Sequence, residues 1–234
     1  MGKLWSWIRG HRDLAFQLDD NDIVVFVVGP SGSGKSKFVE QATESSDLIK
    51  VGTGLQPCTT TVRAIRCELT EGARAALGTE VPKNIVFVDT PSFHTQARAG
   101  RNSEAAEKEM KGWLKSSKSK SNPSLVGTIY MHRVETDPRY ESVQQHLDAF
   151  THTFPKDCVP FPQRLHAVFS HYDGVLPPQT IELRRETFEE QLRALHPSLG
   201  KPKWDTSFHP IPFRVGDSEA AWQAVMKLFS RTQS

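Results

Sequence analysis

Apolar residues along this chain gather into short continuous runs, separated by longer stretches of helical period. Ile23–Val28 (IVVFVV), Ile85–Asp89 (IVFVD), Leu125–Met131 (LVGTIYM) and Leu165–Ser170 (LHAVFS) are rich in β-branched and aromatic residues. Runs of this length and type suit strands buried on both faces of a parallel sheet. Thr61–Leu69 alternates instead, with Ile65, Cys67 and Leu69 set against Arg66 and Glu68. That is the pattern of a strand with one polar face. Phe208–Val215 predicts an edge strand, because Pro210 and Pro212 would break the ladder of a central one.

The intervening segments carry the 3–4 spacing of helices. Lys35–Ala42 predicts a helix with Phe38 and Val39 turned inward. Ser103–Leu114 predicts another, with Glu104/Lys108 and Glu107/Lys111 paired on its outer face. Tyr140, Val143, Leu147, Phe150 and Phe154 mark a third. Gln179–Leu195 predicts a charged helix after the Pro177–Pro178 break, its charges forming a solvated face. Asp217 is placed to cap a last helix carrying Ala221, Val225 and Leu228. Residues 70–84 read as a charged, Gly-containing connection. Residues 115–124 have no apolar residue and read as a flexible loop. Residues 1–20, with Trp5, Trp7 and Ile8 among Arg9 and Arg12, predict an N-terminal arm or short amphipathic helix. Strands alternating with helices imply a three-layer α/β domain over 21–230, with a mostly parallel central sheet covered on both faces. Residues 231–234 remain as a tail.

Composition narrows the class. The chain has 234 residues, enough for one α/β domain with a sizeable core. A net charge of +2 gives no argument for nucleic-acid binding. Cys58, Cys67 and Cys158 are few and far apart, without zinc spacing, and fit a reducing compartment. No apolar run reaches the ~20 residues that span a bilayer. MGKLWSWIRGHRD lacks the apolar core of a secretory signal. The expected location is cytoplasmic.

One segment carries specific chemistry. Gly29-Pro30-Ser31-Gly32-Ser33-Gly34-Lys35-Ser36 matches G-x-x-x-x-G-K-[ST] in full. Its glycines let the backbone fold around phosphates, and successive N–H groups point at the anion. The helix that follows, with Lys37 in its first turn, adds its positive end. Lys35 brings charge to the outer phosphates, and Ser36 offers a hydroxyl to Mg²⁺. The pattern arises by chance in roughly 1% of chains this long. A buried strand before it and a helix after it make the assignment specific. Asp89, ending a second buried strand, is the matching Mg²⁺-facing carboxylate.

With these parts in place, the chain resembles a small GTPase-like G domain. The resemblance is to the septin and GIMAP branch, and more closely to a related fungal family of G-domain proteins. The residues that carry it are GPSGSGKS at 29–36, GLQPCTTTV at 54–62, NIVFVDTPSF at 84–93, LVGTIYMHRV at 125–134 and HAVFSHYDG at 166–174. SEAAWQAVMKLF at 218–229 also fits. The resemblance implies that Thr59, in the Thr59-Thr60-Thr61 run, is the switch threonine that closes on Mg²⁺ and the γ-phosphate. It implies that Asp89-Thr90-Pro91-Ser92 is a DxxG-like element and that Asp173 pairs with guanine. Ser92 replaces the DxxG glycine. Ser170-His171-Tyr172-Asp173 replaces [NT]-K-x-D, so the lysine stem that covers the base is missing.

These readings predict a guanine-nucleotide-binding protein that holds GTP or GDP with Mg²⁺. Slow hydrolysis is expected, because Phe93 stands where a water-orienting glutamine usually follows DxxG. His94 is the candidate to orient the water, with Arg98 and Arg101 nearby as charge donors. Self-association, as a homodimer through the nucleotide face, or a partner would then stimulate turnover. The alternatives are a P-loop ATPase or kinase, and a GTP/GDP-binding module with little hydrolysis. Met1-Gly2-Lys3-Leu4-Trp5-Ser6 also fits the M-G-x-x-x-[ST] pattern for N-myristoylation. Peripheral membrane association is expected only if Gly2 is lipidated.

Overall fold

A computed structural model describes residues 8–12, 17–20, 22–44, 61–78, 81–93, 100–117, 123, 125–137, 143–154, 164–170, 176–195, 211–214 and 216–229. Among the described residues, seven strands form one sheet: β1 (Ile8–Arg12), β2 (Asp22–Val28), β3 (Arg63–Leu69), β4 (Asn84–Asp89), β5 (Leu125–Arg133), β6 (Arg164–Ser170) and β7 (Ile211–Phe213). Their order is β1-β3-β4-β2-β5-β6-β7. From β4 to β7 all neighbours are parallel. β3 runs antiparallel to β4 and to β1. The described helices are α1 (Lys35–Thr43), α2 (Glu71–Leu77), α3 (Gly100–Ser116), α4 (Val143–Thr151), α5 (Pro178–Leu195) and, after the last strand, α6 (Ser218–Phe229).

The continuous apolar runs are explained by the two cores. Side chains along a strand alternate between faces, so a strand covered on both sides needs apolar residues at every position. In β2, Ile23, Val25 and Val27 enter one core, with Phe38 and Val39 of α1 and Trp222 and Val225 of α6. Val24, Phe26 and Val28 enter the other, with Met110 of α3, Leu147 and Phe150 of α4, and Phe188 of α5. β4 divides in the same way, Ile85 and Phe87 against Val86 and Val88. The parity continues to Asp89, which therefore emerges on the α1 side. α6 lies close against the sheet at Gly127, where a Cβ would meet Leu228 Cδ2 at 2.7 Å. Asp217 caps α6 as the sequence suggests, accepting from Ala220 N–H at 2.9 Å.

Two expectations are corrected. Ile8–Arg12 is neither helix nor loose arm but an edge strand, with a register shift between Ile8 and His11. Without it, β3 would expose a row of unpaired backbone groups on its outer edge. That demand is made by the sheet and leaves no trace in the arm's own periodicity. The connection 70–84 contains α2, capped by Thr70, whose hydroxyl accepts from Ala73 N–H at 3.3 Å. Gly78, at φ 127°, ends it. At seven residues it is too short for a periodic signal.

At the sheet's opposite end Arg66 reaches across β4 to the fully buried Asp22. Its Nε and Nη2 donate to the two carboxylate oxygens at 2.9 and 2.6 Å, and Nη2 also donates to Gln17 O at 2.6 Å. Burial raises the Asp22 carboxyl above its usual range, against the opposing pull of Arg66. Burial also pushes the Cys67 thiol up to about 12, so that sulfur is an inert core atom.

Candidate functional site

The site lies at the C-terminal ends of β2 and β4, where the chain turns from β2 into α1. Gly29 takes φ 152°, Gly32 φ 75° and Gly34 φ 86°. Gly29 is also required by space. A Cβ there would lie 2.2 Å from Met131 O of β5 and 2.9 Å from Ser33 Oγ. The loop thus seats directly on the β5 backbone. Pro30 and Ser33 are buried, Ser31 is half-buried and Gly32 is exposed. The first intrahelical bond of α1 runs from Phe38 N–H to Gly34 O at 2.8 Å. The N–H groups of Lys35, Ser36 and Lys37 precede it and form the positive end of the helix.

Lys35 is only 5% exposed although it carries a charge. Its ammonium donates to Gly29 O and Pro30 O, both at 2.9 Å, and to Ser92 Oγ at 2.8 Å. The lysine is therefore held inside the curl of its own loop. It also bridges to the end of β4, 57 residues away in sequence. Ser92 itself is buried, so the residue that replaces the DxxG glycine supplies a hydroxyl where a glycine has none. The sequence marks Ser92 only as a departure from the DxxG glycine and gives no sign of this contact.

Ser36 Oγ donates to Asp89 Oδ2 at 2.6 Å, and Asp89 is fully buried. Two hard oxygen donors, one of them a carboxylate, meet beside the phosphate cradle. That donor set fits Mg²⁺, which takes one or two protein oxygens and completes its shell with phosphate oxygens and water. Thr90 anchors the segment, with its hydroxyl on Val27 O at 2.8 Å.

The structure brings together Gly29–Ser36, Asp89 and Ser92. The ammonium of Lys37 turns to Glu40 at 2.6 Å, so its offering to an anion is its backbone N–H. Phe93 is 1% exposed and packs on Phe150, ring centroids 6.0 Å apart. Its side chain belongs to the core and has no role in orienting water. Thr59, His94, Arg98, His171 and Asp173 lie outside the described residues, as does the side chain of Arg101.

No protein-family model matches the sequence, and no curated protein does. Solved structures do match in fold. Era from Aquifex aeolicus, bound to GDP.AlF4⁻, superposes with a TM-score of 0.52 at 12% identity. The match covers 91% of this chain and 58% of Era, so the chain spans little more than half of Era's length. Toc33 from Arabidopsis thaliana superposes with a TM-score of 0.57 at 18% identity, covering 92% of this chain and 86% of Toc33. Toc33 in complex with GDP and Mg²⁺ gives 0.55 at 18% identity, covering 89% and 83%. This chain has the fold of the P-loop GTPases. Within that fold, β2 leads into residues 29–36 and β4 ends at Asp89. β3 is the antiparallel strand beside β4. β6 leads into 170–173, the expected base-recognition segment. At these identities the likeness concerns the fold alone.

Proposed function

We propose that the protein binds guanine nucleotides with Mg²⁺ and hydrolyses GTP slowly, acting as a switch or a self-associating G domain. The observation that carries this reading is the pairing of a buried Lys35 inside a full phosphate loop with Ser36–Asp89 contact beside it. A buried ammonium held by backbone carbonyls, with a helix N-terminus at its side, is preorganised for a polyphosphate. When bound, Mg²⁺ would neutralise charge on the outer phosphates. Ser36 and Asp89 would hold it, with Thr59 closing from the switch loop. Lys35 would release its hold on the loop carbonyls and donate to the phosphates instead.

The guanine reading rests on Asp173 and on the resemblance, with Era bound to GDP.AlF4⁻ and Toc33 bound to GDP and Mg²⁺ as fold neighbours. Slow turnover follows from Phe93, whose place in the core leaves water orientation to His94. A Toc33 study states that dimerisation is important for GTPase activity there. We extend that to this chain as a homodimer through the nucleotide face. A cytoplasmic location, peripheral at membranes if Gly2 is lipidated, completes the reading.

The second reading, a binding module with little hydrolysis, is favoured by the Lys35–Ser92 contact. The DxxG-like segment is already tied to the phosphate loop, so the γ-phosphate would have less rearrangement left to drive. Competition of GTP, GDP, ATP and ADP for the nucleotide-stripped protein tests the base preference. Equal competition by ATP rejects guanine selectivity and promotes the ATPase alternative. Single-turnover hydrolysis then separates the first two readings, since a module shows no product while a slow GTPase does.

A further inference from the structure

The turn after β5 lies between the glycine loop and the C-terminal end of β6 at Ser170. Arg133 ends β5, and its Cα pairs in register with Ser170, the first residue of Ser170-His171-Tyr172-Asp173. On the other side its guanidinium faces the phosphate loop, because a Cβ on Gly32 would lie 3.7 Å from Arg133 Nη1. One side chain thus spans from the exposed glycine of the cradle toward the start of the base segment. It is 40% exposed, so one face is open to a ligand.

Its position is fixed by several contacts. Val134 N–H donates to Ser170 O at 3.2 Å, and Thr136 N–H donates to Arg133 O at 2.9 Å. Arg184 of α5 donates to Val134 O at 2.8 Å and to Glu135 O at 2.7 Å. The buried His132 ring bonds Thr136 O through Nε2 at 3.1 Å and stacks on Phe188, centroids 4.8 Å apart. Glu135 accepts from Arg133 Nε at 3.2 Å, while Nη1 lies on the Gly32 side.

We propose that Arg133 lines the purine end of the nucleotide site and takes the covering role of the lysine that residues 170–173 lack. An arginine is suited to it. Its stem gives apolar cover, and its planar guanidinium stacks on aromatic faces while keeping its charge near the phosphates. This inference rests on the nucleotide-binding reading above and gives a role to a residue to which the sequence alone assigns none.

The test is calorimetric titration of nucleotide-stripped wild type, Arg133→Ala and Arg133→Lys with GDP and with a non-hydrolysable GTP analogue in Mg²⁺. Arg133→Ala should weaken both nucleotides alike, by about tenfold, as loss of a stacked cation does. Arg133→Lys, which restores the stem that the motif usually carries, should stay within about threefold of wild type. The melting temperature of nucleotide-free Arg133→Ala should stay within about 2 °C of wild type, as for a surface substitution. Wild-type GDP affinity in Arg133→Ala overturns the inference and leaves nucleotide binding standing. A loss confined to the GTP analogue places the arginine at the γ-phosphate and also overturns it. A wild type that binds neither nucleotide overturns the functional reading first, and the role of Arg133 with it.

Discussion

Replacing Gly29 by alanine should damage stability and binding together, and the structure sets the scale. The new Cβ would sit 2.2 Å from Met131 O, a backbone atom that cannot swing aside. Separating the two means moving β5 or the loop, an overpacking cost of about 2 kcal/mol. Gly29 also holds φ 152°, a region nearly closed to residues with a side chain, which adds about 2 kcal/mol. Together these give about 4 kcal/mol, or a fall of about 8–16 °C in melting temperature for a domain of this size. Gly32→Ala is the internal control. Its Cβ meets only Arg133 Nη1, at an ordinary 3.7 Å, so only the strain of φ 75° remains. That is about 1–2 kcal/mol, or about 2–8 °C. Differential scanning calorimetry of both nucleotide-free variants reads the difference, and titration with GDP reads the damage to the cradle. Equal melting temperatures for Gly29→Ala and Gly32→Ala would refute the seating of the loop on β5.

Other substitutions probe the rest of the frame. Burial holds the His132 imidazole down at about 4, helped by the Arg184 charge and opposed by the Thr136 O bond and Asp137. Its folded value lies below the unfolded 6.5, so its stability contribution is whole above that pH. It is lost as pH falls from 6.5 to 4, by about 3 kcal/mol in all. Urea unfolding at pH 7.5 and 4.5 should show a smaller pH penalty for His132→Phe than for wild type; equal penalties contradict a buried neutral imidazole. Arg66→Met strands the buried Asp22 charge and should cost about 3–5 kcal/mol at pH 7. Because Asp22 can protonate, that gap should narrow toward low pH in chemical denaturation, and a gap that widens there contradicts the ion pair. Ser92→Ala removes the hydroxyl from Lys35 and should leave the fold intact while making hydrogen exchange across 89–93 more sensitive to nucleotide. Unchanged exchange would show that the contact does not restrain the segment.

The parts legible in the sequence are those set by local chemistry. IVVFVV is apolar at every position because both faces of β2 are covered, and the phosphate loop is bounded by that strand and by α1. Asp89 was found because a carboxylate ends a buried strand, and side-chain parity then carries it to Ser36. The parts that were not legible depend on distant partners. β1 forms because β3 offers an open edge, which residues 8–12 cannot show by themselves. α2 is too short for its period to stand out, although Thr70 and Gly78 were available as cap and stop signals. The Lys35–Ser92 bond joins positions 57 apart, so Ser92 read as a departure rather than as a contact. Arg133 lies in the LVGTIYMHRV segment without an assigned role, and only the sheet order sets it between Gly32 and Ser170.

Titration of nucleotide-stripped wild type and Lys35→Ala with GDP in Mg²⁺ buffer tests the phosphate site most directly. The only side-chain cation inside the cradle, among the described residues, would then be gone while Ser36 and Asp89 remain. Saturable binding to wild type, weakened at least about a hundredfold in the variant, is the expected result, since a charged hydrogen-bonding group contributes about 1.5–3 kcal/mol per bond. Wild-type affinity in Lys35→Ala would contradict the assignment of residues 29–36 as the phosphate site.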